Sequence, residues 1–342
     1  MTLWIILTVA VVSAAVTACM GCWLIPVLRR LKYGQTILDI GPKWHKEKKQ
    51  GTPVMGGLMF YIGITAAFIC GYIILYYNGM LSFSSEVNGF PLAMKGISGL
   101  IMALCFGFIG FVDDYIKIRK KRNEGLSVMQ KIVMQVLIIA AYFTSRAIGG
   151  DASTVLNIPF VGQFDLSFFY YIFMGLVMLY LVNAVNLTDG IDGLCSSVSF
   201  VYFIAFAVIT AHIRLYGMTV LSVAAAGGVL GFLFWNLPPA KVFMGDTGSL
   251  FLGGLVVALG VGSGCEIVMI IAAAVFIWEA LTVLIQTTYF KITHGKRLFK
   301  MTPIHHSFEL RGWKEMKIDA VFSLLALLAG TAAILLSAGS LR

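Results

Sequence analysis

The residues able to do chemistry in this chain gather in a few short stretches. An apolar run closes on Asp113 and Asp114, followed by Tyr115 and Lys117. Adjacent carboxylates at the mouth of a membrane helix are costly unless the ionised groups find a cation or water, so this pair asks for a partner. Between Asn183 and Leu194 the residues Asn183, Asn186, Thr188, Asp189 and Asp192 stand beside Gly190 and Gly193 in a link too short for an ordinary loop. That composition suits backbone wrapped around a ligand. In Phe243-Met244-Gly245-Asp246-Thr247-Gly248-Ser249 a polar turn leads directly into an apolar run. There Asp246 is either an N-cap or a ligand, and the helix start offers N–H groups to an anion.

Pro303 to Glu309 carries the pair His305-His306 in a basic setting. Zinc is disfavoured, because no second C-x-x-C and no His-Glu-x-x-His pattern accompanies them; imidazoles beside a phosphate, donating hydrogen bonds or carrying protons, fit better. Gly51-Thr52-Pro53-Val54-Met55-Gly56-Gly57 permits a tight turn and close backbone approach to a ligand. Within a later apolar run Glu279 shares a helix face with Gln286, about two turns on. The two residues either line a polar cavity, even a lipid-facing groove for a prenyl tail, or Glu279 bonds a neighbouring helix.

The elements that must position these residues are membrane helices. The chain has 342 residues, 59% hydrophobic and only 12% charged, whereas a soluble globule has about a quarter of its residues charged. A soluble enzyme, a secreted disulfide scaffold and a nucleic-acid binder are excluded. The apolar runs are long and continuous, which excludes an outer-membrane barrel. The reading is a single all-α polytopic domain over residues 1–342, with ten spans: Leu3–Leu28, Met55–Tyr77, Gly96–Val112, Val128–Thr144, Phe168–Val185, Leu194–Ala211, Met218–Trp235, Ser249–Gly262, Ile267–Phe290 and Ile318–Ala338. The eighth is short and is expected to extend at one end. The first reads as a retained helix, lacking an A-x-A pattern before its basic end. Cys19 and Cys22 form a C-x-x-C inside that span and read as small apolar residues.

Alternating the spans across a bilayer puts all but four of the 25 Lys and Arg on one side, the exceptions being Lys95, Arg146, Arg214 and Arg342. By the positive-inside rule that side is cytoplasmic and both termini face out. The net charge of +9 is thus a topology signal, with an anionic substrate or lipid headgroup as a second reader. The same alternation brings Asp113, Asp114, Asp189, Asp192, Asp246, His305 and His306 to the cytoplasmic face. Carboxylates among lysines and glycine turns suit a Mg²⁺ site for a pyrophosphate substrate and phosphoryl transfer.

Taken together, the Gly51–Gly57 motif, Asp113-Asp114-Tyr115, Asn183 to Gly190, Phe243 to Ser249 and Pro303-Ile304-His305-His306 resemble the phospho-N-acetylmuramoyl-pentapeptide transferases, over nearly the whole chain and in the same order. The resemblance implies a ten-helix enzyme of the bacterial cell membrane, a homodimer among membrane lipids. It would move phospho-MurNAc-pentapeptide from UDP-MurNAc-pentapeptide to undecaprenyl phosphate, giving lipid I and UMP with Mg²⁺. Carried over residue by residue, Asp113 and Asp114 match the family's aspartate pair, and Asp246 its metal-binding aspartate. Asn236, His305 and His306 match further catalytic positions. Asn186, Leu187, Asp189, Gly190, Ile191, Asp192, Phe243, Gly245 and Gln286 match the nucleoside pocket, where Phe243 would stack on uracil; Lys49 and Thr52 match first-loop contacts less securely. Ser307 stands where the family commonly has a third histidine, and Val54 where it commonly has a threonine. Two rivals remain: a related polyprenyl-phosphate N-acetylhexosamine-1-phosphate transferase, and a secondary transporter, whose site would lie near the midplane between repeats.

Overall fold

The computed structural model describes residues 1–31, 51–81, 86–87, 90–120 and 124–339. Ten helices among them are long and apolar enough to cross a membrane. In chain order the helices are α1 (Leu3–Arg30), α2 (Gly57–Tyr77), α3 (Leu92–Lys120), α4 (Val128–Ile148), α5 (Phe168–Thr188), α6 (Leu194–His212), α7 (Tyr216–Asn236), α8 (Gly245–Ser263), α9 (Glu266–Ala272), α10 (Ala274–Ile292), α11 (Ile304–Glu309) and α12 (Glu315–Gly339). Two small antiparallel hairpins join them, β1 (Glu86–Val87) with β2 (Phe90–Pro91) and β3 (Val155–Ile158) with β4 (Gly162–Asp165).

The spans match the sequence reading with instructive shifts. α3 continues past Val112 to Lys120, so Asp113 and Asp114 belong to the helix and are buried in it. α8 starts four residues before the expected Ser249, at Gly245. The ninth span is broken at Ala273 into α9 and α10, with no proline or glycine to announce it.

Local chemistry sets several ends. Ser127 and Gln130 form a capping box at the start of α4: the Ser127 Oγ accepts from the Gln130 N–H, and the Gln130 Oε1 accepts from the Ser127 N–H. This satisfies two otherwise orphaned donors and fixes the turn that carries Lys131. Pro238 and Pro239 follow α7, and neither can extend it. Gly264, at φ +69°, closes α8 in the left-handed conformation, which costs a glycine little.

α8 is the hub of the bundle. It packs against α2, α3, α5, α6, α7 and α9, and nearly all its residues from Thr247 to Gly262 are buried. Among helices surrounded by lipid, packing and interhelical hydrogen bonds replace the hydrophobic drive. Side chains here bond backbone carbonyls of other helices: Tyr202 to Val256 at 2.9 Å, Tyr180 to Ile277 at 2.9 Å and Trp235 to Ala18 at 3.0 Å. α3 crosses α8 closely, where Gly110 lies against the Asp246 backbone and a Cβ would strike its carbonyl. That contact sets the site's two acidic helices side by side.

Candidate active site

The C-terminal ends of α3 and α5 meet the N-terminal ends of α4 and α8. Asp113 and Lys117 occupy one face of α3 an i,i+4 step apart. The Lys117 Nζ lies 2.6 Å from the Asp113 Oδ2 and 3.1 Å from the Asp246 Oδ2. Lys131 repeats this from α4, at 3.1 Å from the Asp113 Oδ2 and 2.7 Å from the Asp246 Oδ2. Two ammonium groups therefore bridge two carboxylates. The other Asp113 oxygen, Oδ1, accepts from the Leu126 N–H at 2.7 Å, so Oδ2 is the oxygen turned toward the cluster.

Asp114 does something different. Its Oδ1 accepts from the Asp246 N–H at 3.2 Å, and its Oδ2 accepts from the Thr247 N–H at 2.9 Å and the Thr247 Oγ1 at 2.7 Å. These N–H groups belong to the first turn of α8, whose donors have no partner within the helix. Asp246 is therefore not the N-cap of α8. Asp114 caps that end from another helix, and the anion-binding position at this terminus is taken by the protein's own carboxylate.

Asp246 is oriented from both sides. Its Oδ1 accepts from the Asn186 Nδ2 at 3.1 Å, and the same amide donates to the Ser249 Oγ at 2.7 Å. Gly245, at φ +70°, makes the turn that delivers it. One oxygen each from Asp113, Asp114 and Asp246 fall within 4.8 Å of one another, and this acidic cluster can bind a metal ion. With both Asp114 oxygens committed to α8, Asp246 and Asp113 are the better ligands, and their hard oxygens suit Mg²⁺.

Asn236 is buried and fully engaged. Its Nδ2 donates to the Val242 carbonyl at 3.1 Å, while its Oδ1 accepts from the Gly193 N–H at 3.2 Å and the Ser196 Oγ at 3.0 Å. It ties the turn after α5 to the segment before α8. Asp192 acts in parallel, accepting from the Ala240 N–H at 2.8 Å. Ile191 is buried, whereas Leu187, Asp189 and Phe243 are half-buried and Gly190 is exposed. Gln286 holds a loop: its Oε1 accepts from the Leu298 and Phe299 N–H groups, each at 3.0 Å. Pro53, Gly56 and Gly57 pair with the backbone of Phe243 and Met244 at 2.8 to 3.0 Å, so the close approach that this glycine motif permits is to the chain itself. Thr52 lies beside that pairing, and Lys49 lies outside the described residues.

Glu279 lines no lipid-facing groove. It is fully buried, and its Oε2 lies 3.0 Å from the His305 Nδ1. His306 pairs with Glu309 at 2.6 Å. Ser307 donates to the Met301 carbonyl at 2.6 Å and accepts from the Met301 N–H at 3.0 Å, securing the loop before α11.

Sequence reasoning missed Lys117 and Lys131 as site residues, taking them only as topology charges. The i,i+4 spacing of Asp113 and Lys117 was the available signal for one; nothing local announced the other.

A family model described as "Glycosyl transferase family 4" matches residues 97–264, the segment from α3 through α8. The chain is 42% identical over 323 residues to a protein of Listeria monocytogenes serotype 4b named phospho-N-acetylmuramoyl-pentapeptide-transferase, covering 94% of this chain and 95% of that one. Relatives of the same name from Bacillus pumilus and Halalkalibacterium halodurans are 43% and 41% identical, with 87% and 97% of both chains covered.

Proposed function

Since this chain belongs to the phospho-N-acetylmuramoyl-pentapeptide transferase family, we propose that it transfers phospho-MurNAc-pentapeptide from UDP-MurNAc-pentapeptide to undecaprenyl phosphate, forming lipid I and releasing UMP. The observation that carries this reading is the meeting of Asp113, Asp246, Lys117 and Lys131 where four helix ends converge. Phosphoryl transfer needs positioning and charge neutralisation more than covalent help from the protein, and this cluster offers both.

In the proposed mechanism Lys117 and Lys131 release their carboxylates and turn to the phosphate oxygens of the two substrates. Asp246, with Asp113 beside it, would hold Mg²⁺, and a bound Mg²⁺ would supply charge neutralisation for the pyrophosphate and its leaving group. A phosphate monoester has a second pKa of about 6 and reaches the site largely ionised. The demand on Asp113 is therefore to position lysine and acceptor phosphate, with little proton to remove. Asp114 keeps the start of α8, and hence Asp246, in register. Asn186, Leu187, Asp189, Gly190, Ile191, Asp192, Phe243 and Gly245 frame the uridine, with Gln286 fixing the loop at one edge and Thr52 and Lys49 serving the first-loop side.

The same reading puts the protein in a bacterial cell membrane as a homodimer, with the site cytoplasmic and both termini outside. The Lys and Arg distribution supports that orientation.

The test compares sugar nucleotides. Purified protein in detergent with undecaprenyl phosphate and Mg²⁺ is expected to release UMP from UDP-MurNAc-pentapeptide and none from UDP-N-acetylglucosamine. Turnover of the second nucleotide alone would assign the chain to the related hexosamine-phosphate transferases, and no turnover of any nucleotide would favour a transporter.

A further inference from the structure

Glu279 and His305 are both fully buried, and a single contact joins them, Nδ1 to Oε2 at 3.0 Å. A buried carboxylate facing an imidazole nitrogen makes that nitrogen the N–H donor and leaves Nε2 to act on something else. Here Nε2 has no hydrogen-bond partner among the described residues. It points at Gly190: a Cβ built there would collide with the His305 Nε2 and lie 3.3 Å from the His306 Nε2. The two rings stand 4.2 Å apart. His306 repeats the pattern, its Nδ1 held by Glu309 at 2.6 Å. Two His–Glu pairs thus aim their second nitrogens at one backbone point, four residues beyond Asn186, which holds Asp246.

We propose that Glu279 is a positioning residue for the transfer reaction: it fixes the ring orientation and tautomer of His305 so that Nε2 is presented to the phosphate-bearing substrate over the Gly190 turn. This rests on the phosphosugar-transfer reading above. Glu279 touches no substrate and acts only through His305. Gly190 serves the arrangement by carrying no side chain, because a Cβ there would collide with the His305 Nε2.

The test uses the full-length protein in detergent and measures kcat and KM for UDP-MurNAc-pentapeptide in the parent, Glu279→Leu, Glu279→Gln, His305→Ala and Glu279→Leu/His305→Ala. At metal sites, removing the carboxylate that orients a working imidazole costs on the order of 10- to 100-fold, and the same scale is expected for His305. Glu279→Leu should therefore lose that much in kcat with KM held within about twofold. Glu279→Gln keeps an acceptor for the Nδ1–H and should recover most of the loss. The double variant should be no slower than His305→Ala alone, because the two residues act as one unit. Melting temperatures identify any variant that fails to fold, and Glu279→Ala then takes the place of Glu279→Leu in the same comparison with His305→Ala. Parent-like kcat in Glu279→Leu, a loss confined to KM, or losses that multiply in the double variant would overturn the proposal while parent turnover leaves the transferase reading intact. An inactive parent would overturn both.

Discussion

Asp114→Asn separates holding the site together from acting in it. The Asp114 carboxylate, 2% exposed, takes three hydrogen bonds from the first turn of α8. An asparagine has one acceptor oxygen, so it can keep the Thr247 contacts but must turn an amide N–H toward the Asp246 N–H. Hydrogen bonds to a charged group contribute about 1.5–3 kcal/mol each. The negative charge at a partly buried helix start adds up to about 2 kcal/mol. The terms overlap, so a destabilisation of about 3 kcal/mol is expected. At about 2 °C per kcal/mol for a large domain, the melting temperature in detergent should fall by about 6 °C. Thr247→Val, which removes only the hydroxyl, should fall by less. Intrinsic tryptophan fluorescence during heating reads both. An Asp114→Asn protein that melts with the parent yet releases no UMP would refute this reasoning, and Asp114 would then act on substrate or metal directly.

The lysine bridges, the α3–α8 crossing and the Asp151 ion pairs each predict a measurable outcome. In Lys131→Gln one of the two ammonium bridges between Asp113 and Asp246 is gone; the variant should melt below the parent without divalent cation and gain more from added Mg²⁺, and equal Mg²⁺ shifts would contradict this. Gly110→Ala should push α8 off α3 and cost on the order of 100-fold in turnover, since small displacements of reacting groups are that expensive; a parent-like rate would show that the crossing yields without moving Asp246. At the opposite end of the bundle Asp151 is buried and meets Arg146 at 2.8 Å and Lys95 at 3.2 Å. Burial pushes its carboxyl up, but the Arg146 and Lys95 charges outweigh that and hold it below the ordinary range. A carboxylate with a depressed folded pKa stabilises above its unfolded value of about 3.9 and loses that contribution as pH falls through the folded value. The parent's melting temperature should therefore drop below pH 4 more steeply than that of Asp151→Asn, and parallel pH curves would count against it.

The spans were legible because about 20 continuous apolar residues per crossing leave little choice. The break at Ala273 was not, because alanine in an apolar run carries no local sign of it. At the site, residue types pointed to acids, histidines and glycine turns, but not to the division of labour between neighbours. Asp113 and Asp114 are adjacent in sequence, yet helical geometry aims one at the lysines and the other at α8. The partner of His305 lies 26 residues away on another helix, and no spacing rule connects them. Long-range pairing of buried polar groups is settled by how helices pack, and packing is not written in any one segment.

Asp246 as the metal-holding residue is the proposal on which phosphoryl transfer at this helix junction turns. Its most direct test is UMP release from UDP-MurNAc-pentapeptide and undecaprenyl phosphate as Mg²⁺ is titrated into chelator-treated parent and Asp246→Asn proteins. Saturable recovery of turnover is expected in the parent and none in the folded variant at any Mg²⁺ concentration. A variant that follows the parent's Mg²⁺ curve would contradict it.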